Sequence, residues 1–327
     1  MPTVLIGSNF LRNQPGPFRE ILQRAGFEFT DPPGDQTLTE DDLRAALPGA
    51  DAILAGGERI TAELLDLAPR LRAIARTGVG YDAIDMAAAT ARRIPIVITP
   101  GTNQESVAEH TFALLLGLTR AITVNDRLIH AGGWSQKLVA PLRGKTLGLV
   151  GLGRIGRAVA TRALAFEMRV IAFDPAPATE FEPRHGVLRV GFEQLLSESD
   201  VVSLHLPLTP ETRGLINRKT LARMKPGAYL INTARGGLVI EADLHDSLVS
   251  GHLAGAGLDV LNPEPPEPDN PLLRLPNVVI TPHLGGVDTK AMADMANLAA
   301  RCLVALYQGK WPEGCVVNNT LAAGWRW

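Results

Sequence analysis

Short apolar runs alternate along the chain with longer segments whose apolar residues recur at helical spacing. In the first hundred residues, 3–6, 52–54, 71–75 and 96–98 read as strands, and 18–25, 61–67 and 84–92 read as helices. Strand alternating with helix predicts an α/β domain built on a parallel sheet. Its glycine-rich spot, Thr77-Gly78-Val79-Gly80, follows a strand, at the carboxyl edge where open α/β sheets bind ligands. Pro100-Gly101 is a turn signal and marks a domain crossing. Thr102-Asn103-Gln104-Glu105 has the form of a capping box and predicts a helix that runs to about His130. That helix is apolar on more than one face, through Val107, Phe112, Leu114, Leu115, Leu116, Leu118 and Ile122. Such a helix is buried, with a second subunit as one source of cover. Further on, 147–150, 170–173, 201–206, 229–233, 254–260 and 278–281 read as strands, and 157–166, 241–250 and 290–307 as helices. The last helix is long enough to return to the first domain and make it discontinuous. The stretch NPEPPEPDNP, 262–271, reads as a loop, because its prolines supply no N–H donors.

The segment KTLGLVGLGRIGRAVA, 145–160, joins a strand to a helix through Gly151, Gly153 and Gly156, spaced G-x-G-x-x-G. Gly151 allows the tight turn. Gly153 lets a pyrophosphate approach the backbone, and Gly156 lets the helix pack close to the strand. The anion then sits at the helix N-terminus, where unpaired N–H groups and the helix dipole favour negative charge. The next strand ends at Asp174, 18 residues after Gly156. An acid there accepts hydrogen bonds from the adenosine ribose hydroxyls and repels a 2′-phosphate, which predicts NAD as cofactor. The plainer reading is a βαβ unit without nucleotide and a solvated Asp174. Arg157 and Arg162 are expected to point to solvent or phosphate.

Length and composition sharpen this picture. A chain of 327 residues exceeds one ordinary core, so two domains are expected. Hydrophobic content of 46% with 20% charged residues is that of a globular enzyme. A formal charge of −2 provides no basic field for nucleic acid. No apolar run reaches the length of a membrane span, and the start MPTVLIGS lacks the pattern of a signal peptide, so a cytoplasmic location is expected. Cys302 and Cys315 make no disulfide framework and no metal-ligand spacing; no metal is expected. Asn318-Asn319-Thr320 matches a glycosylation acceptor by chance.

Three residues at strand ends of the second domain carry candidate chemistry: Arg235, Glu264 and His283. In a parallel sheet all three lie at the carboxyl edge, beside the nucleotide. Hydride transfer to a carbonyl needs a cation that holds a carboxylate and polarises the carbonyl, best a guanidinium. It needs a proton donor, best a histidine, and a carboxylate that fixes the histidine tautomer. Each residue also has a plainer reading: Arg235 as a turn residue binding carbonyls, Glu264 as a solvated acid, His283 as a structural histidine. Of the other histidines, His205 ends a strand and reads as structural, His110 as a packing residue inside an apolar helix. His130, His185, His245 and His252 read as surface positions.

Together these stretches resemble the D-isomer-specific 2-hydroxyacid dehydrogenase family. The matching motifs are GLGRIG at 151–156, NTARGG at 232–237, LDVLNPEPP at 258–266 and TPHLGG at 281–286, with HLPLTPETRGLI from His205 and SVAEHTFALLL from Ser106. The resemblance covers nearly all of the chain. It implies an α/β fold of two Rossmann-like or flavodoxin-like domains with doubly wound parallel sheets. The nucleotide domain, about 101–285, is set between two parts of a substrate domain, 1–100 and 286–327. It implies Arg235 on the substrate carboxylate and carbonyl, Glu264 as partner of His283, and Gly78, Val79 and Gly80 as a carboxylate-binding loop. It implies NAD contacts from Gly151, Gly153, Arg154, Ile155, Gly156, Asp174, Pro207, Thr233, Ala234 and Asp259. It also implies homodimers built largely through the helix after Thr102.

The expected reaction is NAD-dependent interconversion of a small 2-oxo acid and its D-2-hydroxy acid, as in glyoxylate or hydroxypyruvate reductases. Glu264 in place of glutamine argues against the formate dehydrogenase branch. Phosphoglycerate-type members carry a basic residue where this chain has Ala55-Gly56-Gly57, which makes 3-phosphoglycerate dehydrogenase the alternative; no C-terminal regulatory domain is expected beyond Trp327. The rival of a different class is a nucleotide-sensing binding protein of the same fold, like the corepressors related to this family. An NADH oxidation assay with a panel of 2-oxo acids separates the two.

Overall fold

A computed structural model describes residues 1–176 and 179–327. The chain divides into two compact units, Met1–Asn103 with Val287–Trp327, and Gln104–Gly286.

The first unit holds β1 (Thr3–Ile6), β2 (Glu28–Thr30), β3 (Ala52–Ala55), β4 (Ala73–Arg76) and β5 (Ile96–Val97), with α1 (Pro17–Arg24), α2 (Glu40–Ala46), α3 (Ala62–Asp66) and α4 (Met86–Ala91). The strands are parallel in the order β2-β1-β3-β4-β5. Both faces are apolar because both are covered. Val4 and Ile6 pack towards Phe18 and Leu22 of α1 and Leu303 and Leu306 of the helix Thr289–Tyr307. Leu5 and Ile53 face Leu43, Leu64 and Leu65 on the other side. Each fully buried leucine of this kind is worth about 2 kcal/mol. Thr61 and Asp85 cap α3 and α4 by accepting from Leu64 N and Ala88 N. Neither β2 nor α2 is expected from the apolar pattern. The edge strand β2 has one apolar residue in three, and α2 buries only Leu43. Asn318 does structural work, holding the β5 segment: its Oδ1 accepts from Ile96 N and its Nδ2 donates to Ile94 O.

The second unit holds β6 (Thr146–Val150), β7 (Arg169–Phe173), β8 (Leu188–Arg189), β9 (Val201–Leu204), β10 (Ala228–Asn232), β11 (Leu253–Leu258) and β12 (Val278–Ile280). Its helices are α5 (Gln104–Thr119), α6 (Ile122–His130), α7 (Arg154–Ala165), α8 (Phe181–His185), α9 (Phe192–Glu198), α10 (Arg218–Leu221) and α11 (Glu241–Val249). All strands are parallel, in the order β12-β11-β10-β9-β6-β7-β8. This is a doubly wound sheet with its switch point between β6 and β9, where such sheets bind ligands at their carboxyl ends. Leu147 and Leu149 pack with Phe112 of α5 and Val159 of α7, while Val150 packs with Leu195 and Leu196 of α9 on the opposite face.

The long helix expected up to about His130 is two helices bent by 60°. The break falls at Arg120–Ala121, and Ala121 takes a left-handed φ of 51°. α5 is covered within its own unit, through Ala108, Phe112, Leu114 and Leu115. It is α6 that buries none of its residues. Ile122, Val124 and Ile129 stand exposed there, followed by Trp134 and Leu138. The apolar pattern of the stretch was sound, but two environments share it. Among the described residues, no single helix is long and apolar enough to cross a membrane.

Candidate active site

The glycine loop follows β6. A Cβ on Gly151, at φ 104°, would lie 2.6 Å from the carbonyl oxygen of His205, and one on Gly156 would lie 2.2 Å from the Gly151 carbonyl oxygen. Both positions therefore need glycine for the protein's own packing. Gly153 is different: nothing of the protein lies within 4 Å of where its Cβ would be. It is the N-cap of α7 and supplies no capping side chain, so the first amides of a 12-residue helix are left for a ligand. Arg154 and Ile155 form that first turn. Asp174, at the end of β7, accepts from Leu152 N at 2.6 Å and from Ala176 N at 2.8 Å, which ties the acid to the glycine loop. Its two oxygens keep lone pairs for ribose hydroxyls. The chemistry of this set fits a dinucleotide: open amides at the helix end and a carboxylate at the second strand.

The flanking arginines depart from expectation. Arg157 folds back, its Nε donating to Leu152 O at 3.0 Å and its guanidinium reaching Thr179 Oγ1 at 3.2 Å. Arg162 pairs with Glu105 at 2.8 Å and Glu109 at 3.2 Å. Carboxylates of α5 lie within reach of Arg162, and an opposite charge outcompetes bulk water at that range.

Arg235 follows β10. Asn232 shapes its turn, accepting from Ala234 N at 3.0 Å and donating to Arg235 O at 2.9 Å. A Cβ on Gly236 would sit 2.0 Å from Leu261 O, so the turn presses against the loop that carries Glu264. Glu264 Oε1 accepts from Leu261 N at 3.1 Å. Its Oε2 stands 2.8 Å from His283 Nδ1. Both side chains are partly exposed, 47% for His283 and 38% for Glu264, so a substrate can reach them. His283 has a φ of 56°, a left-handed conformation that residues with a Cβ rarely adopt outside constrained sites. Thr233 is buried and its Oγ1 lies 3.0 Å from Thr111 Oγ1; Ala234 is half-buried and Pro207 exposed.

Asp259 is almost wholly buried and holds the turn after β12. Its Oδ1 accepts from Thr281 Oγ1 at 2.6 Å and Leu284 N at 2.8 Å, and its Oδ2 accepts from Gly285 N at 2.7 Å. Burial alone raises its pKa, but hydrogen bonds from His110, Thr281 and the Leu284 and Gly285 amides hold it below the ordinary carboxylate value. His110 is thus more than a packing residue: its Nε2 lies 2.8 Å from Thr281 Oγ1 and 3.2 Å from Asp259 Oδ1. No local pattern announces this contact. Of the four histidines read as surface positions, only His130 is exposed; His185 stacks on Phe181, His252 bonds Leu221 O, and these two and His245 are half-buried.

In the first unit the Gly78 amide is engaged, donating to Thr99 Oγ1 at 3.0 Å, and Arg76 Nε donates to Gly80 O at 3.0 Å. After β3, the Gly56 amide donates to Glu58, whose carboxyl is completely buried. Burial pushes the Glu58 pKa up, against the pull of Arg76 and Arg12.

The fold and these residues define a doubly wound, dinucleotide-binding protein with a histidine–carboxylate pair at its sheet edge. Residues 112–285 match the family model described as D-isomer specific 2-hydroxyacid dehydrogenase, NAD binding domain, and the chain belongs to that family. NAD is its cofactor. It is 44% identical over 263 residues to a glyoxylate reductase of Korarchaeum cryptofilum, covering 79% of each chain. It is 42% identical over 275 residues to a D-3-phosphoglycerate dehydrogenase of Archaeoglobus fulgidus, covering 83% of this chain and 52% of that one. The chain thus spans about half the length of the phosphoglycerate dehydrogenases it matches. The solved structure of a D-lactate dehydrogenase from Aquifex aeolicus, complexed with NAD and lactic acid, superposes with a TM-score of 0.83 at 30% identity, covering 97% of this chain and 99% of that one.

Proposed function

We propose that the chain is an NAD-dependent oxidoreductase that interconverts a small 2-oxo acid and its D-2-hydroxy acid. The observation that carries this reading is the 2.8 Å pair of His283 and Glu264, on the sheet edge that also presents the glycine loop and Arg235. When bound, NADH supplies the hydride. The amides at the start of α7 hold the pyrophosphate, and Asp174 takes the ribose hydroxyls. Like-charge repulsion from Asp174 against a 2′-phosphate supports a preference for NADH over NADPH. Arg154, Ile155, Pro207, Thr233, Ala234 and Asp259 are assigned to the remaining cofactor side. The Arg235 guanidinium holds the substrate carboxylate and polarises the carbonyl. The Gly78-Val79-Gly80 backbone is assigned to the same carboxylate, with the Val79 and Gly80 amides as donors. Glu264 occupies Nδ1 of His283, which leaves Nε2 to give a proton to the carbonyl oxygen in reduction and to take it back in oxidation. Residues 1–100 and 286–327 are assigned as the substrate domain and 101–285 as the cofactor domain.

A small uncharged tail, as in glyoxylate or hydroxypyruvate, suits the loop after β3, which offers Ala55-Gly56-Gly57 and a buried acid, Glu58. One observation favours 3-phosphohydroxypyruvate as a second reading: Arg59 is exposed and makes no ion pair among the described residues. The exposed apolar run on α6 and at Trp134 and Leu138 supports a homodimer. Two free cysteines suit a reducing cytoplasm. The test is NADH oxidation with glyoxylate, hydroxypyruvate and 3-phosphohydroxypyruvate at matched ionic strength. Turnover that is highest with an uncharged tail is expected. A phosphate ester that wins tenfold, about 1.4 kcal/mol of transition-state binding, would turn the reading to the second substrate. NADH binding without turnover of any 2-oxo acid would turn it to a nucleotide-sensing protein.

A further inference from the structure

The left-handed backbone at His283 is surrounded by bonds that converge on one residue. The His283 amide donates to the Asp259 carbonyl at 2.8 Å, while the Asp259 carboxylate collects Thr281, Leu284 and Gly285 from either side of it. A Cβ on Gly285 would lie 2.8 Å from Asp259 Oδ2, so the turn is pressed directly against the carboxylate. We propose that His110 is a positioning residue for His283: its Nε2–H locks Thr281 onto Asp259, and this clamp holds the 281–285 turn so that the His283 imidazole is correctly aimed. The inference rests on the reading of His283 as acid and base.

The hydrogen assignments follow from the partners. Asp259 is an acceptor only, because it is ionised, so Thr281 donates its hydroxyl hydrogen across the 2.6 Å contact. Thr281 then shows His110 only lone pairs. Asp259 Oδ1, 3.2 Å from the same ring nitrogen, is an acceptor as well. Nε2 of His110 must therefore carry a hydrogen, shared between the two oxygens. His110 belongs to α5, Asp259 follows β11 and Thr281 follows β12, so the clamp joins three elements beneath one turn. A strained φ persists only where its surroundings over-determine it, and here helix and sheet both do so.

The test compares His110→Ala, His110→Gln, Thr281→Val and His283→Ala in 2-oxo acid reduction. His110→Ala is expected to lower kcat about tenfold through misaimed proton transfer, with KM for NADH near wild type. His110→Gln keeps an N–H near the Nε2 position and should recover most of the loss, an outcome that a mere packing role does not produce. ¹⁵N NMR of the wild-type imidazole should show Nε2 protonated. Wild-type kcat in both His110→Ala and Thr281→Val, beside an inactive His283→Ala, overturns the clamp and leaves the acid–base assignment standing. An Nδ1-only tautomer overturns it too. Near-normal turnover in His283→Ala removes the assignment on which the inference rests, whatever the His110 variants do. If His110→Ala does not fold, Thr281→Val cuts the same link at constant volume and decides by the same outcomes.

Discussion

His205 makes the stability of the second unit depend on pH in a way that can be measured. It follows β9, its Nε2 lies 2.9 Å from Ser203 Oγ, and its Nδ1 is sealed from solvent with no partner. Burial pushes its pKa from 6.5 down to about 3. The folded state therefore prefers the neutral ring, while the unfolded chain takes up a proton below about pH 6.5. The stabilisation is fully present above that pH and is lost as pH falls towards 3. The slope is about 1.4 kcal/mol per pH unit, so the whole descent is worth at most about 5 kcal/mol and the step from pH 7 to pH 5 about 2 kcal/mol. The residue keeps some solvent contact, which makes these upper values. His205→Gln keeps a polar partner for Ser203 and removes the titration. Urea unfolding at pH 7, 6 and 5, read by hydrogen exchange in the β6 and β9 peptides, reports the second unit alone. Wild type should lose up to about 2 kcal/mol more than His205→Gln between pH 7 and 5. Glu58 has the opposite sign, since its raised pKa gives a contribution that is lost as pH rises, but it is common to both proteins. Equal pH slopes in the two proteins would refute the reasoning.

His283→Ala should cost about 10²–10⁴-fold in kcat while NADH still binds, checked by stopped-flow turnover and fluorescence titration. Gly156→Ala forces a Cβ to 2.2 Å from the Gly151 carbonyl oxygen and should destabilise the unit by about 1–3 kcal/mol, seen as a lower Tm. Gly153→Ala meets no protein atom, so Tm should hold while NADH binding weakens at least about tenfold; equal effects at the two glycines would contradict the separate roles. Ile129→Asp with Leu138→Asp should convert a dimer to monomers in sedimentation velocity, and a wild-type monomer would remove the dimer reading.

What the sequence determined by itself is local in kind. Apolar runs and helical spacing follow backbone periodicity, so β6, α7 and β7 were legible together with the three glycines and Asp174. The ordered motifs around Arg235, Glu264 and His283 likewise pointed to one sheet edge, because parallel strands end on the same side. Tertiary structure decided the partners. It brought His110 to Asp259, far along the chain, whereas the pairing of Glu264 with His283 was already implied by the motifs that carry them. It turned Arg157 back on the glycine loop and sent Arg162 to Glu105 and Glu109. It also broke the long apolar stretch at Ala121, covering α5 and leaving α6 bare. A periodic pattern records which side of an element is apolar. It holds no information on which polar groups meet across elements, because that depends on how separate strands and helices pack.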